Sequence, residues 1–303
     1  MNSTNQKNPA DELKAFLELA AINYLDGPVN LNGHPLKPEK AFAAPLFGYA
    51  SGSDPIWENF KKAIDQDYWL PLTAFQKSFP ASLASAEELS VVVIILPQTT
   101  ITISDQSRAQ GFPSERWIRS RFLHDRIVFG LCRHLENILA SRGIETVTPD
   151  LLAGFGAKQS ANFQITSDWS HRHAAFAAGL GTFGLCDGLI TAVGKAHRLA
   201  SLITHQVFEP TPRTYSGPYD YCLYHNGGRC LKCVPRCPVK AISPEGHDKI
   251  KCSDFLKLTT IPKIRQLWPD LDGAYGCGLC QSAVPCQSKI PRHPKIKTSQ
   301  KAL

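Results

Sequence analysis

No apolar run in the 303 residues approaches the ~20 needed to span a bilayer. The longest, Val91 to Leu96, has the length and β-branching of a buried strand. No basic stretch followed by an apolar segment and no twin arginine opens the chain. Met1 to Ala10 is polar, so no export signal is expected, no membrane partner either, and the expected location is cytoplasmic. Charged residues are few, at 19%, and hydrophobic ones make up 43%, which excludes an intrinsically disordered chain. Acidic residues are outnumbered 26 to 33, for a net charge of +7. Part of that excess sits in a proline-spaced tail at Lys289, Arg292, Lys295, Lys297 and Lys301. Such a tail suits either a solvated terminus or contact with nucleic acid or an acidic redox partner. Aromatic residues interleaved with the basic ones, which single-stranded nucleic acid would favour, are sparse there. Internal repeats are missing, apart from two half-motifs of cysteines.

The length suffices for one large domain or two ordinary ones, with a core that needs no staples. Apolar residues at helical spacing predict a helix over residues 11–25, followed by a loop-rich stretch from Gly27 to Asp54 and a short helix over 55–64. Residues 88–96 predict the strongest strand. A long helix is predicted over 113–141, ended by Gly143, with a strand over 143–147 after it. A helix over 170–178, stopped by Gly179, and strands over 188–193 and 199–205 complete the pattern. Strands alternating with helices imply a layered α/β domain over 1–215. Proline, glycine and serine between Thr211 and Pro218 mark its boundary with a cysteine-rich module over 216–303.

Eight of the ten cysteines lie between Cys222 and Cys286. Dense thiols in a reducing compartment bind metal more often than they form disulfides. The first run reads Cys222-x7-Cys230-x2-Cys233-x3-Cys237-Pro238, the second Cys277-x2-Cys280-x5-Cys286, and Cys252 stands between them. Two-cluster ferredoxins use C-x2-C-x2-C-x3-C-P runs, and the last cysteine of each run ligates the other cluster. Two cysteines three apart wrap two corners of a cube from one turn of chain, and the proline after the last ends that turn. The crossover rule assigns Cys222, Cys230, Cys233 and Cys286 to one [4Fe–4S] cluster and Cys237, Cys252, Cys277 and Cys280 to a second. Two departures stand out. Cys222 must arrive on a seven-residue loop, and Val284-Pro285 replaces the second Cys-Pro, so Cys286 has to serve two residues late. Two zinc ribbons are the competing reading of the CxxC pairs; the Cys-Pro ending and the unequal x2/x3 spacing favour iron–sulfur. Cys132, inside a helical pattern, reads as a buried apolar thiol, and Cys186 as a core or pocket-wall residue.

The segment Trp169 to Gly184 contains Ala178-Gly179-Leu180-Gly181-Thr182-Phe183-Gly184, and the cysteine module follows it at a fixed distance. In motif, order and the lone Cys252, the stretch from about residue 85 to 290 resembles the epoxyqueuosine reductases and their relatives, the reductive dehalogenases. The resemblance implies a nitroreductase-like α/β domain carrying a base-off cobalamin, followed by a ferredoxin-like module whose two [4Fe–4S] clusters reduce the corrinoid. It also implies an external electron donor such as ferredoxin or flavodoxin, and an acid that protonates the substrate. Gly179, Gly181 and Gly184 then suit close approach of a large flat ligand, or else an ordinary helix end and turn. Ser170 and Thr182 are candidate donors to the ligand's amides or phosphate, and Arg116 and Arg172 candidate partners of an anion; Arg119 reads as surface charge. Asp168 is the candidate general acid or, equally, a helix cap. His171 and His173, on different sides of one helix, are further candidate proton donors.

The chain departs from that family at three places. The position of the family's catalytic aspartate falls on Ile165, three residues before Asp168; Leu185 stands where a lysine is usual; and the helical repeat domain that helps grip tRNA has no counterpart in these residues. A small molecule or modified nucleoside is therefore the expected substrate, with tRNA disfavoured. Two other functions compete with a cobalamin-dependent reductase. One is an electron-transfer protein or reductive activator of a corrinoid protein with no turnover of its own. The other is a zinc-ribbon nucleic-acid binder.

Overall fold

The computed structural model describes residues 8–34 and 36–292. The expectations for the first seven residues and for Lys295, Lys297 and Lys301 lie outside the described residues. Helix α1 (Pro9–Asp26) opens the described chain. Strand β1 (Leu46–Ser51) follows, then α2 (Ile56–Ile64), α3 (Pro71–Ser78), β2 (Ser90–Pro97), α4 (Thr100–Arg108) and α5 (Glu115–Phe122). Next come α6 (Gly130–Ala140), the short strand β3 (Thr146–Val147), the hairpin β4 (Ala157–Ser160) and β5 (Gln164–Ser167), and α7 (His171–Ala177). A second hairpin, β6 (Gly181–Phe183) and β7 (Leu189–Thr191), leads to β8 (His197–Thr204). The cysteine-rich part adds β9 (Ile242–Ser243), β10 (Gly246–His247), α8 (Lys249–Phe255) and α9 (Ile261–Leu267).

The architecture is mixed α/β. Its main sheet is antiparallel, in the order β1-β2-β8-β3. Every residue of β2 is buried, and the alternation of a strand explains how. Val91 and Val93 face a core with Trp57 and Phe60 of α2, Phe75 of α3 and Ala174 to Ala177 of α7. Val92, Ile94 and Leu96 face the opposite core with Leu17 and Ala21 of α1 and Leu131 and Leu135 of α6. Helices therefore cover both faces of the sheet. Among the described residues no helix is long and apolar enough to cross a membrane.

Three local expectations change. The helix predicted over 113–141 is interrupted by a π-helical turn at Asp125–Phe129, between α5 and α6. The strand predicted over 143–147 shrinks to the two residues of β3. The stretch from Gly27 to Asp54, expected to be loop, contains the edge strand β1, paired with β2 from Leu46 opposite Ile95 to Ser51 opposite Ser90.

The cysteine-rich part is seated on the sheet domain through polar main-chain contacts. Lys195 N–H and Ala196 N–H donate to the carbonyls of Cys286 and Gln287 at 2.9 and 3.0 Å. The Gln106 side-chain amide, fully buried at the end of α4, donates to the Cys277 carbonyl at 2.7 Å. Arg236 donates to the carbonyls of Ala109, Gln106 and Leu279, which ties the first cysteine run, the second run and α4 into one knot.

Candidate functional site

The thiols of the two runs occupy tight turns, as short-range spacing requires, and Cys252 lies in α8. Cys237 N–H closes a turn onto the Val234 carbonyl, and Ala241 N–H donates to the Cys237 sulfur at 3.2 Å. In the second run Gly278 adopts φ +64° and starts the short turn Leu279–Gln281 that carries Cys280. That conformation favours glycine, and a Cβ there would also overlap the Trp117 ring.

Cys222, Cys230, Cys233 and Cys286 line one cavity, whose remaining wall is mostly apolar: Leu185, Ile190, Val284 and Pro285. These four are one of the two sets that the crossover spacing assigns. Cys277 has Cys252 and Cys237 as its thiol neighbours, with the Arg236 guanidinium beside it, while Cys280 lies between Cys277 and Cys186, whose sulfur also touches Cys233. Four thiols around a common cavity, with Lys195 and Lys232 also on its wall, fit the donor chemistry of a cubane cluster. Among the described residues, no three or more His, Cys, Asp or Glu side chains sit closely enough to hold a single metal ion.

Cys132 is fully buried against Leu131, Leu135 and the sheet, and burial pushes its thiol up to about 12. Cys186 has a different setting. It is 5% exposed, and hydrogen bonds from the Cys233 and Cys280 thiols, with the Lys195 ammonium close by, hold its pKa well below the ordinary thiol value. Lys195 is itself buried. Burial alone would discharge it, but the surrounding sulfurs, Cys186 first, raise its pKa instead.

The residues around α7 are engaged within the chain. Ser170 caps α7, accepting from His173 N–H and lying 2.8 Å from His173 Nδ1. Thr182 is buried, and its hydroxyl accepts from Tyr221 N–H at 2.9 Å. Gly179 adopts φ +73°, and a Cβ there would meet the Pro212 carbonyl at 2.8 Å; one at Gly181 would overlap the Ile190 carbonyl. The nearest approach at Gly184 is to Ile190 and Gly188. The close contacts of these glycines are thus with the chain's own backbone, and the Ser170, Gly179, Gly181, Thr182 and Gly184 set does not by itself fit a corrinoid. Arg172 is exposed and donates to the Asp187 carbonyl at 2.7 Å.

Asp168 accepts from Gly156 N–H at 3.0 Å and pairs with Lys158 at 3.2 Å, which closes the loop before α7. His173 is packed among Phe60, Phe163 and Phe183, and burial lowers its pKa to about 3. His171 lies between Asp150, 2.9 Å from Nε2, and the buried Ser201 hydroxyl, 2.8 Å from Nδ1. Arg116 is bound by Glu39 and Asp105. Arg119 is only 4% exposed, not a surface charge; Glu115 and Asp270, each at 2.8 Å, draw it inward.

Sequence reasoning passed over Asp187 and His247. Asp187 holds a left-handed φ of +57°, uncommon for a residue with a side chain. Its carboxylate lies 3.0 Å from His247 Nδ1. Burial opposes a charge on His247, but Asp187 and the Cys252 sulfur outweigh it and push the pKa up to about 10. The only sequence signal was the turn Gly184 to Gly188, which does not reveal a partner sixty residues away.

Topology and thiol placement give the class: a mixed α/β chain bearing a cysteine-rich module with two groups of thiols. The particular similarity is to epoxyqueuosine reductase. The chain is 33% identical over 123 residues to the epoxyqueuosine reductase of Leadbetterella byssophila, a match covering 38% of this chain and 36% of that protein. The expected resemblance to the epoxyqueuosine reductases is therefore found. The epoxyqueuosine reductase of Bacillus subtilis aligns over 94% of this chain and 68% of its own, with 20% identity and a TM-score of 0.48. A catabolic reductive dehalogenase bound to 3-bromo-4-hydroxybenzoic acid aligns over 94% of this chain and 38% of its own, with 16% identity and a TM-score of 0.49. No protein-family model matches the chain.

Proposed function

We propose that the protein is an iron–sulfur oxidoreductase, a cobalamin-dependent reductase of the epoxyqueuosine reductase kind. Electrons from an external donor such as ferredoxin or flavodoxin would pass through its ferredoxin-like module to a substrate of the modified-nucleoside or small-molecule class. The observation that carries the reading is the lining of one cavity by Cys222, Cys230, Cys233 and Cys286, four cysteines drawn from both runs as cluster crossover requires. The similarity to epoxyqueuosine reductase supports the reductase activity and carries the corrinoid. When bound, the clusters would supply one-electron steps.

The chain's own residues have definite tasks in this reading. The two sets of four thiolates hold the clusters, and Leu185, Ile190, Val284 and Pro285 keep water from the first. Arg236 fixes the two cysteine runs against α4. The three candidate proton donors are all engaged within the chain, His171 between Asp150 and Ser201. Asp168 is committed to Lys158, and His173 is neutral at working pH.

The second reading, an electron-transfer protein or activator without its own turnover, is favoured by one observation: Ser170, Thr182 and the glycines after α7 already have partners inside the chain. Cobalt separates the two. The full chain is reconstituted anaerobically with iron and sulfide, incubated with hydroxocobalamin and freed of excess. About one cobalt per chain beside about eight irons is expected of the reductase. Full iron with no cobalt removes the corrinoid enzyme and leaves the electron carrier.

A further inference from the structure

Lys195 is 3% exposed, yet among the described residues no carboxylate lies within ion-pair distance of its ammonium. Sulfur surrounds it instead. Its Nζ donates to Cys186 Sγ at 3.2 Å, and its side chain lines the same cavity as Cys222, Cys230, Cys233 and Cys286. Its position is fixed at both ends. Its backbone N–H donates to the Cys286 carbonyl at 2.9 Å, and its stem runs along Gly188, where an added Cβ would meet Lys195 Cδ at 3.4 Å and Cys186 Sγ at 3.5 Å. Cys186 is not among the eight cysteines of the two runs, and its sulfur accepts from the Lys195 ammonium while the Cys233 and Cys280 thiols also lie against it.

A buried ammonium is costly unless negative groups surround it, and here the Cys186 sulfur and the cysteines of the cavity are those groups. A cubane cluster with four thiolates carries a net negative charge that grows by one on reduction. A fixed cation at short range in a poorly screened site stabilises the more negative state more strongly. We propose that Lys195 is the fixed cation that sets the reduction potential of the cluster held by Cys222, Cys230, Cys233 and Cys286. Cys186 is the positioning residue that aims its ammonium. The inference rests on the iron–sulfur reading above. The step it tunes is the gain of one electron by the cluster from an external one-electron donor, with no bond broken and no proton moved. Lys195 adds nothing to the electron count; it changes only how readily the cluster accepts the electron.

The test uses the full chain, reconstituted with iron and sulfide under argon and reduced stepwise with dithionite in a potentiometric titration followed by electron paramagnetic resonance. Wild type is compared with Lys195→Gln, Lys195→Arg and Cys186→Ala. Lys195→Gln should retain its iron and lower one of the two midpoints by at least tenfold in the reduction equilibrium, about 59 mV for one electron. Lys195→Arg, which keeps the charge, should stay near the wild-type value. Cys186→Ala, which removes both the hold on the ammonium and a negative sulfur nearby, should shift that midpoint by less than Lys195→Gln. Equal midpoints in wild type, Lys195→Gln and Lys195→Arg would overturn the proposal while leaving the clusters in place. So would a shift in Lys195→Arg as large as that in Lys195→Gln. A wild-type chain that takes up no iron would instead overturn the iron–sulfur reading beneath it.

Discussion

The sheet domain and the cysteine-rich module are held together by different means. Around β2 and β8, two cores meet back to back, one built on Trp57, Phe60, Phe75 and Trp169, the other on Leu17, Ile94, Leu131 and Leu135. Burial of that much apolar surface stabilises a sheet without any bound group. The cluster of buried residues at the module's centre is Leu185, Cys186, Ile190, Cys222, Cys233, Ile242 and Val284, of which three are cysteines and three come from the β6–β7 hairpin and its turn. Little apolar surface remains in that cluster once the thiols are set aside, and the module's other buried apolar residues, Ile264, Leu271 and Ala274, pack against Trp117 and Ile118 of α5. The module's order then depends on what the thiols bind and on the polar knot at Arg236 and Gln106. Folding and metal uptake are coupled wherever ligands replace a core in this way.

The largest effect should come from breaking the module alone. Cys233→Ser is expected to lower iron from about eight to about four per chain. Hydrogen exchange should then speed up across residues 216–292 while amides of β2 and β8 stay protected. Equal loss of protection in both regions would show that the two are not separately stabilised. The reverse lesion is Leu131→Ala, in the core under the sheet. It should cost about 2–5 kcal/mol in chemical denaturation with iron content unchanged, and iron loss would contradict the division.

Gly278→Ala probes the junction. The substitution meets a φ of +64° and the Trp117 ring together, and the backbone strain alone is worth about 1–3 kcal/mol. The expected result is a lower unfolding midpoint with faster iron release to a chelator. The smallest effect is that of pH on the sheet domain. His197 is buried, with Nε2 3.0 Å from the Leu189 carbonyl, and burial lowers its pKa to about 4; His173 is lowered to about 3. The unfolded chain binds protons near pH 6.5 that the folded chain refuses, so stability is full above that value and falls as pH drops through 6.5 toward 4. For His197 this amounts to less than about 1 kcal/mol between pH 7 and 6. His197→Asn should flatten part of that slope, and an unchanged slope would contradict the assignment.

The sheet was partly legible in the sequence. The run Val91 to Leu96 announces β2 because a strand buried on both faces has no polar alternation to hide it. Strand β1 escaped notice because Gly48 and Ala50 dilute its apolar signal, and the β4–β5 hairpin because Ala157–Ser160 and Gln164–Ser167 are largely polar and half-exposed. The π-helical turn after α5 has no composition of its own, so one helix was expected where two are joined. At the site, cysteine spacing reports chain geometry over a few residues, which is why the grouping of thiols was legible. The pairing of Asp168 with Lys158 and of Lys195 with Cys186 depends on how hairpins fold back. The inward turn of Arg119 depends on Asp270, 151 residues away. No local pattern carries such contacts.

The central claim is that the two thiol groups hold two cubane clusters. Its most direct test is the count of iron, acid-labile sulfide and zinc in the full chain after anaerobic reconstitution, with spectra of the dithionite-reduced protein. About eight irons and eight sulfides per chain, with a reduced-state signal from two clusters, is the predicted result. About two zinc ions per chain with no iron retained, in a colourless protein, would contradict it.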